Sequence, residues 1–134
     1  MSERAKRQEY RAEGVHAPIS HYTDAVRFGD LVFLSGCGPL DEDLNLVGGE
    51  DVAAQARQTL SNIEKVLKTV GATFADVLKV NVYLTDISDL KAINPVRQEF
   101  FGDAKPTSTA VQVVALAVPG MKLEIEAVVG LPAA

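Results

Sequence analysis

Apolar residues fall at Val52, Ala56, Leu60, Ile63, Leu67 and Val70, at intervals of four, four, three, four and three. That rhythm draws one stripe along a helix and predicts a helix over 52–70. Gly49-Glu50-Asp51 opens it with acid at the positive end of the helix dipole, and Gly71 closes it beyond the cap. Over 78–84 the period changes to two. Leu78, Val80, Val82 and Leu84 alternate with Lys79, Asn81 and Tyr83, the pattern of a strand with one buried face. Residues 24–28 and 31–36 read as two strands, and the Gly29-Asp30 between them predicts a short hairpin of type I′ or II′. The segment 38–43 follows as an acidic, turn-rich loop.

A second helix ends at Phe100-Phe101-Gly102. Pro95 falls inside its apolar pattern, where a missing N–H and a ring clash are costly. Asn94-Pro95 is the usual pair at the cap and first position, so the helix is expected to start or restart there. Strands over 108–116 and 122–129, joined through Pro119-Gly120, complete the order β-β-α-β-α-β-β. The order predicts an α+β sandwich with two helices on one face of a mixed sheet.

The other face of that sheet needs cover of its own. In the last strand Leu123, Ile125 and Ala127 point one way, while Glu124, Glu126 and Val128 point the other. In the strand before it both faces are apolar, Val111 and Val113 on one and Ala110 and Val114 on the other. Strands greasy on both faces in so small a domain predict burial against a partner chain.

The 134 residues are expected to form one domain over 1–134, with little order in residues 1–15. Lys and Arg number 13 against 18 Asp and Glu, a net charge of -5 that argues against a nucleic-acid partner. The single Cys37 cannot form an internal disulfide, and it leaves no Cys-based zinc cluster. With only His16 and His21, a metal site would have to lean on carboxylates. No segment approaches the roughly 20 apolar residues of a membrane helix. The mixed-charge start, Met1 to Glu9, has no apolar h-region, so a cytoplasmic location is expected.

No phosphate loop, nucleophile elbow or paired-histidine metal motif is present. Four features remain. Glu124 is either a solvated sheet carboxylate or a general base at a subunit boundary, where desolvation would raise its pKa. Cys37, at a strand end after Ser35-Gly36, is by type a small buried hydrophobe. His21-Tyr22 belongs to a surface loop before the first strand, and Asn94 is explained as a helix cap.

Taken in chain order, these residues resemble the RidA/YjgF family of reactive-intermediate deaminases. The resemblance rests on five stretches: 20–26 (SHYTDAV), 31–40 (LVFLSGCGPL), 51–62 (DVAAQARQTLSN), 76–86 (DVLKVNVYLTD) and 122–127 (KLEIEA). It implies a chorismate-mutase-like sandwich, assembled as a homotrimer around a barrel-like centre, with sites in the clefts between subunits. It implies hydrolysis of a small imine or enamine substrate with release of ammonia and no cofactor. By position, Tyr22, Gly36, Asn94 and Glu124 fall on the family's site residues, with Glu124 activating water and Cys37 standing where Gln is common.

The departure is at Ser108. In Pro106-Thr107-Ser108-Thr109 it stands where the family carries the Arg that clamps a substrate carboxylate. Ser108 is therefore expected to act as a hydrogen-bond contact, with substrate choice moved away from small 2-imino acids, for example to an aminomuconate-type intermediate. Arg97 stands three residues after Asn94, on one helix face with it, and is either a solvent-facing Arg or the replacement cation. Lys105 is a second candidate. The competing expectation is a non-enzymatic trimer binding a metabolite or partner in the same clefts. RNA cleavage fits poorly with the acidic charge and the absence of stacking aromatics.

Overall fold

The computed structural model describes residues 5–132. Its elements are β1 (Arg7–Tyr10), β2 (Ala25–Phe28), β3 (Leu31–Cys37), α1 (Val52–Thr69), β4 (Val77–Leu84), α2 (Leu90–Phe101), β5 (Thr107–Gln112) and β6 (Leu123–Gly130). Six strands form one sheet in the order β1-β2-β3-β6-β4-β5. Only β4 and β5, joined through α2, run parallel; the other neighbours are antiparallel. The fold is the expected pair of helices on one face of a mixed sheet. Among the described residues no helix is long and apolar enough to cross a membrane.

The core is the layer between sheet and helices. Val80, Val82, Leu84, Leu123, Ile125, Ala127 and Val129 pack beneath Ala56, Leu60, Ile63 and Leu67 of α1 and Ile93 and Val96 of α2. The 3.6-residue stripe of α1 and the two-residue alternation of β4 and β6 each present apolar side chains to this layer. Asp51 caps α1, accepting from the N–H groups of Ala53 and Ala54. Gly71 takes a left-handed φ of 79° just beyond the helix. The hairpin between β2 and β3 has φ of 63° at Gly29 and a normal φ at Asp30, which selects type II′.

Three expectations need correction. Residues 7–10, read as part of an unordered start, form an edge strand on β2. Their order comes from backbone pairing and from Asp24, which binds the Arg11 side chain and the Ala12 N–H. The part of that reading that concerns residues 1–4 lies outside the described residues. The second helix does not begin at Asn94-Pro95: α2 already runs from Leu90, with Pro95 inside it. A 3₁₀ turn at Ile87–Asp89, capped by Asp86, leads into it. Both Pro95 and Lys91, whose carbonyl the proline leaves free, lie on the exposed side, where that carbonyl is open to solvent. Finally, β5 stops at Gln112 rather than 116. Val113 turns away with its N–H on Leu84 O at 2.8 Å, and Val114 is fully exposed.

Candidate active site

The open face of the sheet carries two carboxylates on β6 in unlike surroundings. Glu126 accepts from Tyr83 Oη at 2.6 Å and Asn81 Nδ2 at 2.9 Å. Glu124, two residues earlier, takes no hydrogen bond and no ion pair among the described residues, although it is half-buried. Burial first, and then the charge of Glu126, push its pKa above the ordinary carboxylate value. Two neighbouring carboxylates in unlike environments are a recurrent acid–base arrangement.

Glu124 lies against the bulged end of β3. The register shifts between Leu34 and Cys37, so Ser35 and Gly36 together face a single position on β6. A Cβ built at Gly36 would come within 2.6 Å of Glu124 Oε1. Glycine here is what lets the strand end and the carboxylate share the space. Beside them Tyr22, Asp24, Ser35, Cys37 and His16 line a small cleft. Ser35 Oγ donates to Thr23 O at 2.6 Å, fixing the loop that carries Tyr22. The Cys37 thiol is pushed up to about 12, chiefly by burial and then by Asp24 and Glu124, so it stays protonated and is a weak nucleophile.

A second group of predicted residues sits elsewhere. Arg97 Nη2 on α2 donates to Ser108 Oγ on β5 at 2.9 Å. Asn94, Arg97 and Lys105 line one open groove of about 570 Å³. Ser108 pairs with Val80, a buried residue, so its side chain faces the helices, whereas Glu124 pairs with Tyr83 on the open face. One chain therefore gathers Tyr22, Gly36, Cys37 and Glu124 in one place and Asn94, Arg97 and Ser108 in another. It does not join the two.

Sequence reasoning passed over the Asn81–Tyr83–Glu126 cluster. Its signal was the polar half of the β4 alternation, which is on the same face as Glu124 and Glu126. It also passed over Gln55 and Asn62, amides in the apolar helix that are buried and fully bonded. Gln55 bridges Gly49 O, Gly120 O and the Lys122 N–H, and so holds the approach to β6. Among the described residues no three His, Cys, Asp or Glu side chains converge as a metal would require.

The same helix-backed mixed sheet is found in proteins of a known family. The chain belongs to the family described as Endoribonuclease L-PSP, whose model matches residues 14–131. It is 36% identical over 116 residues to the 3-aminoacrylate deaminase RutC of Acinetobacter baylyi, covering 87% of this chain and 91% of that protein. It is 32% identical over 126 residues to the chloroplastic Reactive Intermediate Deaminase A of Arabidopsis thaliana, covering 94% and 67%. The crystal structure of the yeast protein YEO7 superposes with a TM-score of 0.90 at 32% identity, covering 95% of this chain and all of that one (100%). These relatives identify the chain as a RidA/YjgF-type protein and support a deaminase-type role at the level of the family.

Proposed function

We propose that this protein is a cofactor-free deaminase that hydrolyses an imine or enamine metabolite, at clefts completed by further copies of the chain in a homotrimer. The observation that carries the reading is the half-buried, unbonded Glu124 with its raised pKa. Such a carboxylate is a stronger base than an ordinary one and has free lone pairs to orient a water molecule. The water adds to the electrophilic imine carbon and gives a proton to Glu124. The carboxyl returns that proton to nitrogen to give a carbinolamine. Glu124 then carries the hydroxyl proton to the amino nitrogen as the C–N bond breaks, and a carbonyl compound and ammonia leave. An enamine enters the same sequence after gaining a proton on carbon and losing one from nitrogen, which makes it an imine. Tyr22 and Asn94 are hydrogen-bond contacts, Gly36 shapes the wall, and Cys37 fills it.

Support for the trimer comes from the open face of the sheet. Phe33 is 50% exposed there, and Leu31 and Val111 are also uncovered. A second chain against that face would bury them and desolvate Glu124 further. Glu124 and Glu126 together present anionic charge, which repels a phosphate backbone and disfavours RNA as the substrate. Ser108 in place of a clamping cation on β5 supports a substrate whose carboxylate is held from a different wall of the cleft than in small 2-imino acid deaminases.

Ammonia release from freshly generated 2-imino acids and from 2-aminomuconate tests the reading. Release above the uncatalysed rate from at least one of them is expected. No acceleration of any would favour a non-enzymatic binder. Gly36→Ala offers a narrower check. The added methyl meets only the movable end of Glu124, so the melting temperature should stay nearly unchanged. Turnover should fall about 10²-fold as the carboxylate swings away. Unchanged turnover would show that the position of Glu124 does not matter.

A further inference from the structure

Most of the described arginines meet an acid. Arg7 reaches Glu9, Arg11 reaches Asp24, Arg27 reaches Asp30 and Arg57 reaches Glu99. Arg97 is the exception among the described residues. Its hydrogen-bond partner there is a neutral hydroxyl, Ser108 Oγ, 2.9 Å from Nη2. The other N–H groups of the fork are without acceptors among the described residues. The guanidinium is nevertheless half-buried, and desolvation weakens its hold on the proton. A partly desolvated cation without a counter-ion is costly, and the cost is recovered when an anion binds.

The surroundings fit a carboxylate. A guanidinium fork presents two parallel N–H groups to the two oxygens of one carboxylate, which a lysine ammonium cannot do. The groove of about 570 Å³ in front of it is also lined by Asn94, an uncharged donor, and by Lys105, a second cation. Asp103 is the acid on that wall, and it pairs with neither cation. Ser108 is small enough to leave this space to Arg97, and its hydroxyl steadies the fork.

We propose that the groove between α2 and the β5 edge is a carboxylate-binding subsite, in which Arg97, positioned by Ser108, grips the carboxylate of the molecule on which Glu124 acts. The proposal rests on the imine-hydrolase reading for the identity of that molecule. The anchor comes from the helix rather than from the strand, so Ser108 is a positioning residue and Arg97 the binding one.

Calorimetric titration of the full chain with 2-oxobutyrate, and with its amide as the uncharged counterpart, tests this. The wild type should bind the acid and not the amide. Arg97→Ala and Arg97→Gln should each weaken binding of the acid about tenfold or more, at an unchanged melting temperature. Arg97→Lys should recover part of the loss. Binding of the acid by Arg97→Gln within twofold of the wild type would overturn the proposal, as would equal binding of acid and amide or no binding of the acid at all. The ammonia assay separates the two readings. Deamination with binding indifferent to Arg97 removes the subsite alone, and Arg97-dependent binding without deamination removes the deaminase alone.

Discussion

Glu124→Gln should abolish ammonia release and, at neutral pH, make the protein more stable. Losing the base should lower turnover by about 10²- to 10⁴-fold, the usual contribution of positioned proton transfer. Stability moves the opposite way because the folded-state pKa of Glu124 lies above its value in the unfolded chain. Between those two values the folded protein holds a proton that the unfolded chain has released. Stability therefore declines as pH rises through that window, and the loss persists above it. Glutamine carries no charge to desolvate and escapes this loss. Melting curves from pH 4 to 8 should show the variant above the wild type at the alkaline end, converging at the acid end. The wild-type rate should in turn rise with pH through a limb placed above the ordinary carboxylate range. A variant less stable than the wild type at pH 7 would mean that Glu124 is structurally bonded rather than held for catalysis.

Asn62→Leu should be among the most damaging single changes to stability. Asn62 is a buried amide on α1 whose Nδ2 donates to Gly38 O at 2.9 Å and Leu40 O at 2.8 Å. Its Oδ1 accepts from Gln58 Nε2 at 3.1 Å. Leucine keeps the approximate shape but leaves Gly38 O in a buried segment without its donor and Leu40 O with only the longer bond from Gln58 Nε2 at 3.4 Å. An unmet group costs about 1–3 kcal/mol and the weakened one adds to it, so a loss of about 2–3 kcal/mol is expected. That is a large share of the roughly 5–15 kcal/mol that holds a domain together. The same segment follows Gly36 and Cys37, so the cleft should loosen along with the fold. Urea unfolding measures this, and a loss below about 1 kcal/mol would show that the segment finds other donors.

Much of the fold could be read from periodicity alone. The stripe of α1, the alternation of β4 and β6 and the Gly29-Asp30 hairpin are local patterns, and local patterns survive into the structure. The misreadings occurred where the deciding interactions are distant. Arg7 to Tyr10 show no apolar alternation, and they become a strand because β2 offers an unpaired edge and Asp24 anchors the residues after them. Pro95 is tolerated within α2 because its face is exposed and a 3₁₀ turn has already nucleated the helix. At the site, alternation placed Glu124 opposite the core. That it lacks any donor while Glu126 has two depends on Tyr83 and Asn81, which are more than 40 residues away (43 and 45). The spacing of Asn94 and Arg97 placed both on one helix face. Only the fold brings Arg97 onto Ser108, the residue whose identity had raised the question.

In the proposed homotrimer, Glu124 on the open face of one chain and Arg97 at the opposite edge of another meet to form one site. Mixed oligomers test it most directly. Glu124→Gln and Arg97→Ala chains are unfolded together, refolded as a mixture, and assayed for ammonia release at substrate concentrations well below KM. Each variant alone should be nearly inactive. In the mixture, about a quarter of the clefts would pair an intact Glu124 from one chain with an intact Arg97 from another, and activity should return to about that fraction of wild type. A correctly assembled mixture no more active than its parents would contradict a site shared between subunits.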